Sequence, residues 1–141
     1  MHMAVRAFLD TNVLVYAVDA ADPAKRAKAE ALLASRDEHD FVLSPQILAE
    51  FYAVATRKLA VPLPEATAEA MVEALAPLSV VVIDAALVRA AAASARAWQM
   101  SLWDALVLRS AESAGCDVVF SEDFATDRAY GSIRVVNPFA A

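Results

Sequence analysis

Asp10, Glu50, Asp104 and Asp123 are the side chains in this sequence whose type and placement point to chemistry. Each stands where an apolar segment runs into a helix start or a loop. Gathered in one place, four carboxylates would raise one another's pKa and could not all stay ionised without a counter-charge. A hard divalent cation supplies that charge. With oxygen ligands and no cysteine or histidine, the set selects Mg²⁺ or Mn²⁺ over zinc, copper or iron. Such a centre can bind phosphate oxygens, activate a water and stabilise the leaving oxygen of an in-line displacement, so its natural reaction is phosphodiester hydrolysis. A plainer account exists for each acid taken singly. Asp10, Thr11 or Asn12 can cap a helix or make a turn. Glu50 can snorkel or pair with Arg57 or Lys58, and Asp104 completes an S-x-x-D capping box with Ser101. The recurrence of acids at similar places is what favours a shared site.

The elements must bring these residues together. Val5, Ala7, Phe8 and Leu9 read as a buried strand, and Val13, Leu14, Tyr16 and Ala17 recur at helical spacing, so Asp10 sits at a strand's carboxyl end. Asp22-Pro23 opens a helix over 24–36. Phe41-Val42-Leu43 is a short strand, and Ser44-Pro45 starts a helix to about Leu59. On that helix Ile47, Phe51, Val54 and Ala55 form an apolar stripe, with Glu50 at its border. A helix over 65–75 follows between prolines, then a β-branched strand over 79–83. Asp84 caps an alanine-rich helix to Trp98, whose Arg89 and Arg96, on nearly one face, read as solvated surface, with a phosphate-contacting edge as the alternative. In the next helix the wheel places Asp104 toward the apolar side, with Trp103, Val107, Ala111 and Ala114, and Gly115 closes it. Asp117–Phe120 and Ser132–Val136 complete the strands. Strands alternate with helices and no hairpin signal appears, which predicts an α/β fold with a parallel sheet covered on both faces. Ligands bind such sheets at the carboxyl edge, where Asp10 and Asp123 would lie.

The chain of 141 residues suits one domain, spanning 1–141, because a protein of this size buries roughly two-thirds of its unfolded surface. Hydrophobic residues make up 60%, which excludes disorder and leaves apolar surface for partners. Charged residues interrupt each apolar run short of a membrane span, and no signal-peptide layout opens the chain, so a soluble cytoplasmic protein is expected. Cys116 is the single cysteine and reads as a small buried apolar residue. Met1-His2-Met3 carries no functional reading. The net charge of −6 argues against a broad basic nucleic-acid surface, although bound divalent cations reverse the sign locally.

Four segments carry a family resemblance: DTNVLVYA near the start, SPQILAEFYAV, WDALVLRSAESAGCDVVFSEDF and the terminal VVNPF. In order and spacing they resemble the PIN-domain family, specifically the VapC-type ribonuclease toxins of toxin–antitoxin pairs. The resemblance implies a three-layer α/β/α sandwich with a mostly parallel sheet of about five strands. It also implies Mg²⁺- or Mn²⁺-dependent endonucleolytic cleavage of RNA, a homodimer and a cognate antitoxin. Carried over by position, the acidic quartet is Asp10, Glu50, Asp104 and Asp123. Asp10, Asp104 and Asp123 then anchor the metal, and Glu50 completes the shell or orients the attacking water. Asn12 and Ser121 match polar residues that orient the acids. Glu122 and Arg109 depart from the residues common at those positions and bear on substrate preference, and Asp127 is a candidate extra acid in a solvated loop. A receiver-type phosphoacceptor domain needs an acid pair after the first strand and a lysine after the last. Here Asp10 precedes Thr11-Asn12, and Asn137-Pro138 follows the last strand, while a D-x-D phosphatase fails at the same first position. A catalytically idle PIN-like module whose acids only cap helices is the remaining alternative.

Overall fold

A computed structural model describes residues 4–126 and 128–140, so Asp127 and the Met1–Met3 start lie outside the described residues. The chain alternates strands and helices: β1 (Val5–Leu9), α1 (Thr11–Tyr16), α2 (Pro23–Ala34), β2 (His39–Leu43), α3 (Pro45–Arg57), α4 (Glu65–Leu75), β3 (Ser79–Val80), α5 (Ala85–Trp98), α6 (Leu102–Ser113), β4 (Val118–Phe120) and β5 (Arg134–Val136). The five strands form one sheet in the order β3-β2-β1-β4-β5, and every strand pair is parallel.

That order fixes the layers. From β1 the chain steps outward through β2 to β3, then crosses back to β4 and continues to β5 on the other side. Right-handed crossovers in opposite directions place their helices on opposite faces. Accordingly α1 packs against α2 and α3, α3 packs against α4, and α5 pairs with α6. Ala7, Phe8 and Leu9 are consecutive and all buried, as are Phe41, Val42 and Leu43, so both faces of the central strands are covered. Phe8, Leu9, Leu43, Ile47, Phe51, Leu108 and Val119 are the large residues of this core. Cys116 lies in it as a buried free thiol.

The helix starts follow the sequence signals. Asp22, Ser44, Asp84 and Ser101 each accept a backbone N–H from the first turn of their helix, and Gly115 takes a positive φ of 73° just beyond α6. Four boundaries differ. The expected strand over 79–83 shrinks to Ser79–Val80 because β3 is an edge strand. Val81 still donates to the Leu43 carbonyl at 2.9 Å, but the backbone then leaves the sheet toward the Asp84 cap, and Val82 is 80% exposed. The last strand starts at Arg134 instead of Ser132, since Tyr130 and Ile133 pair with each other across a turn at Gly131. The helix expected over 24–36 ends at Ala34, and the one expected to reach about Leu59 ends at Arg57.

Candidate active site

The chain reverses its direction across the sheet between β1 and β4, and such a reversal leaves a crevice at the carboxyl edge of the two strands. Leu9 is in register with Phe120, so the next residues, Asp10 and Ser121, face each other across that crevice. The Asp10 amide donates to the Phe120 carbonyl at 3.1 Å, holding the acid at the seam. Asp10 is 7% exposed. Its Oδ1 accepts the Thr11 amide at 2.8 Å and its Oδ2 accepts the Ser121 hydroxyl at 2.7 Å. Asp10 therefore caps α1, as the plain account has it, and occupies the crevice as well.

Asn12 and Ser121 tie the second acid in. The Asn12 side-chain amide donates to Ser121 Oγ and to Asp123 Oδ2, each at 3.1 Å, and reaches Asp10 Oδ2 at 3.5 Å. Ser121 Oγ accepts the Asp123 amide at 3.0 Å. Glu50 arrives from α3. Its Oε2 accepts the Thr11 hydroxyl at 2.8 Å and its Oε1 accepts the Gln46 amide at 3.0 Å. Glu50 is half-buried at the border of its helix stripe and does not pair with Arg57 or Lys58. Among the described residues none of the four acids forms an ion pair. Burial pushes the Asp10 carboxyl up from its ordinary 3.8 to about 6, with Asp123 and Glu50 adding to the rise against the hydrogen bonds from Ser121 and Thr11.

Asp104 stands differently from its expected place. It lies in the first turn of α6, where Ser101 Oγ accepts its amide at 3.0 Å, and it is exposed. The wheel places Trp103 on the apolar side, yet Trp103 is 61% exposed; Val107, Leu108 and Ala111 from that side are buried, together with Ala105 and Leu106. The tie from α6 to the other acids is indirect: the Gln46 amide donates both to Glu50 and, at 3.3 Å, to the Trp103 carbonyl, the peptide next to Asp104.

A cavity of about 380 Å³ opens over the crevice. Its lining combines Thr11, Asn12, Asp19, Glu50 and Asp123 with Val15, Tyr16 and Val54. Among the described residues no three acidic, histidine or cysteine side chains close around one point as a cage. An all-oxygen donor set around a buried, uncompensated carboxylate fits a hard divalent cation.

A PIN-domain family model matches residues 7–131. The chain belongs to the PIN-domain family. Solved structures share its fold. A toxin–antitoxin complex from Klebsiella pneumoniae aligns with a TM-score of 0.70 at 17% identity, covering 94% of this chain and 97% of that one. VapC20 of Mycobacterium tuberculosis, a sarcin–ricin loop cleaving toxin, aligns at 0.67 and 21%, covering 91% and 98%. VapBC2 of Rickettsia felis, bound to a DNA fragment of its promoter, aligns at 0.63 and 15%, covering 94% and 98%. No protein with a curated description matches the chain at a significant level.

In this PIN domain Glu122 is not free to meet a substrate. Its carboxylate accepts Lys25 Nζ at 2.8 Å and the Tyr16 hydroxyl at 2.6 Å. Arg109 is likewise engaged, donating to Ser94 and Glu112 between α5 and α6 and lying over the Trp98 ring. Arg89 and Arg96 are exposed, as expected of solvated surface. Two contributors escaped the sequence reading. Thr11 reads in the sequence only as a cap, and the signal available for Gln46 is its four-residue spacing from Glu50.

Proposed function

We propose that this PIN domain is a divalent-metal-dependent endoribonuclease and the toxin of a toxin–antitoxin pair. The observation that carries the reading is the buried Asp10 carboxylate at the β1–β4 seam, beside Glu50 and Asp123 and without a cationic partner among the described residues. Folding has concentrated negative charge where a sheet of this topology binds ligands. The proteins of like fold named as toxins support the toxin assignment.

Asp10, Asp104 and Asp123 would hold the ion, and Glu50 would complete its shell or orient the attacking water. A bound Mg²⁺ or Mn²⁺ supplies a polarised water and neutralises phosphate charge. The chain's own residues set the geometry. Ser121 and the Thr11 amide take one lone pair from each Asp10 oxygen and fix the carboxylate plane. Asn12 spaces Asp123 from Asp10. Thr11 and Gln46 each take one Glu50 oxygen, leaving the remaining lone pairs directed by a fixed group. Attack by water, not by the ribose hydroxyl, leaves a 5′-phosphate and a 3′-hydroxyl. A homodimer, an antitoxin partner and a cytoplasmic location belong to the same proposal; among the described residues no helix is long and apolar enough to cross a membrane.

Incubation of the protein with total RNA in Mg²⁺ or Mn²⁺, with mapping of new ends, tests it. The parent should cut, and Asp10→Ala should abolish cutting while keeping the fold as stable or more so, since the cost of burying the Asp10 charge, and its repulsion by Asp123 and Glu50, are removed. Equal cleavage by parent and variant, or no stabilisation of the parent by either ion, overturns the reading in favour of an idle PIN-like module.

A further inference from the structure

Asp19, Glu50 and Asp123 give the cavity its acidic side; its apolar side has no use for a phosphate. Val15, Tyr16 and Val54 present apolar surface beside Glu50 and Asp123. Tyr16 is half-buried, and it is held with unusual completeness. Its hydroxyl donates to Glu122 Oε1 at 2.6 Å and accepts Lys25 Nζ at 3.1 Å. Phe139 meets the ring edge-on at a centroid distance of 4.8 Å, and Lys25 Nζ lies 4.5 Å from the ring centre. Phe139 is itself pinned, its amide donating to Asn137 Oδ1 at 2.9 Å and its carbonyl accepting Lys28. Tyr16 lines the cavity, whereas Lys25 and Phe139, which hold its ring, do not. A ring whose polar end is already satisfied offers that space only its π surface.

We propose that Tyr16 is a stacking platform for the unpaired nucleobase next to the bond that is cut, so that the substrate enters as single-stranded or looped RNA. This rests on the nuclease reading of the neighbouring acids. A phosphate held at Glu50 and Asp123 carries its base within one nucleotide, and an aromatic surface stacks any base. The ring is fixed before binding, so little side-chain freedom is lost when the base docks. Glu122, whose charge would otherwise repel a polyanion, is neutralised by Lys25 and serves as the anchor of the ring.

The test uses a short RNA that the parent cuts, with an abasic nucleotide placed on either side of the scissile bond. At one of the two positions the parent should lose about 5- to 150-fold in kcat/KM, the range of base–aromatic stacking. Tyr16→Ala should lose a comparable factor on the intact RNA and nothing further on the abasic one. Tyr16→Phe should keep the discrimination, and Tyr16→Leu, which fills space without a π surface, should not. Equal losses by Tyr16→Ala on intact and abasic RNA would mark a structural role and overturn the subsite, as would a parent indifferent to both abasic positions. These outcomes leave the nuclease reading standing. A parent that cuts no RNA removes both.

Discussion

Asp10 is a cap and a liability at once. The two hydrogen bonds to its oxygens orient it, but burial outweighs them and holds the carboxyl near pH 6. Because the folded value lies above the ordinary 3.8, the folded state binds the extra proton. The cost to stability is absent below pH 3.8, grows between 3.8 and about 6, and is complete above that at about 3 kcal/mol. In metal-free protein the stability advantage of Asp10→Asn over the parent should therefore grow by about 1 kcal/mol from pH 5 to pH 7.5 in urea unfolding. Mn²⁺ at pH 7.5 should shrink that gap by stabilising the parent alone. A gap that does not change with pH would show that Asp10 is not strained. At this scale much of the site could be read in advance. Asp10, Asn12, Ser121 and Asp123 sit in the short stretches DTN and SED beside β-branched and aromatic runs, and chain continuity alone places them at strand ends. Thr11 could not be ranked, because whether a threonine caps its helix or reaches another depends on which helix packs alongside.

Between elements, α3 and α6 meet the site unequally. The periodicity of α3 located Glu50 correctly because its stripe of Ile47, Phe51 and Ala55 is buried as drawn. The same reasoning holds in α6 at Val107, Leu108 and Ala111, which are buried, and fails in its first turn, where Trp103 and Asp104 face solvent. Periodicity reports hydrophobicity, and a helix end can leave a large apolar residue unburied. Gln46 is the link between the two helices. Gln46→Ala should remove a hydrogen bond to a charged group and the tie to the Trp103 peptide. The expected loss is roughly tenfold in cleavage, from about 1.5 kcal/mol, and more Mn²⁺ should be needed for half-maximal rate. Unchanged metal dependence would show that Glu50 holds its place without Gln46. The edge strand β3 teaches a related lesson: Ser79 and the four β-branched residues after it look like a strand, but the pairing with β2 stops at Val80, with one more hydrogen bond from Val81 to Leu43.

For the molecule as a whole, alternation of strands and helices was enough to predict a parallel sheet with both faces covered. It could not supply the strand order, because hydrophobic periodicity carries no record of which strand lies beside which. The order matters, since β1 and β4 meet only after more than half of the chain has intervened. Consequently the molecule has a natural parting line. Severing the backbone at the exposed Val82 yields one fragment with β1, β2 and β3 and another with β4 and β5. The first owns Asp10 and Glu50, the second Asp104 and Asp123. Each piece alone should be harmless to RNA, and co-expression of the two should restore cleavage by rejoining Leu9 to Phe120. Activity in either piece by itself would contradict this. A nuclease assembled that way would fire only where both gene products are made together, turning the zigzag of the sheet into a two-key lock.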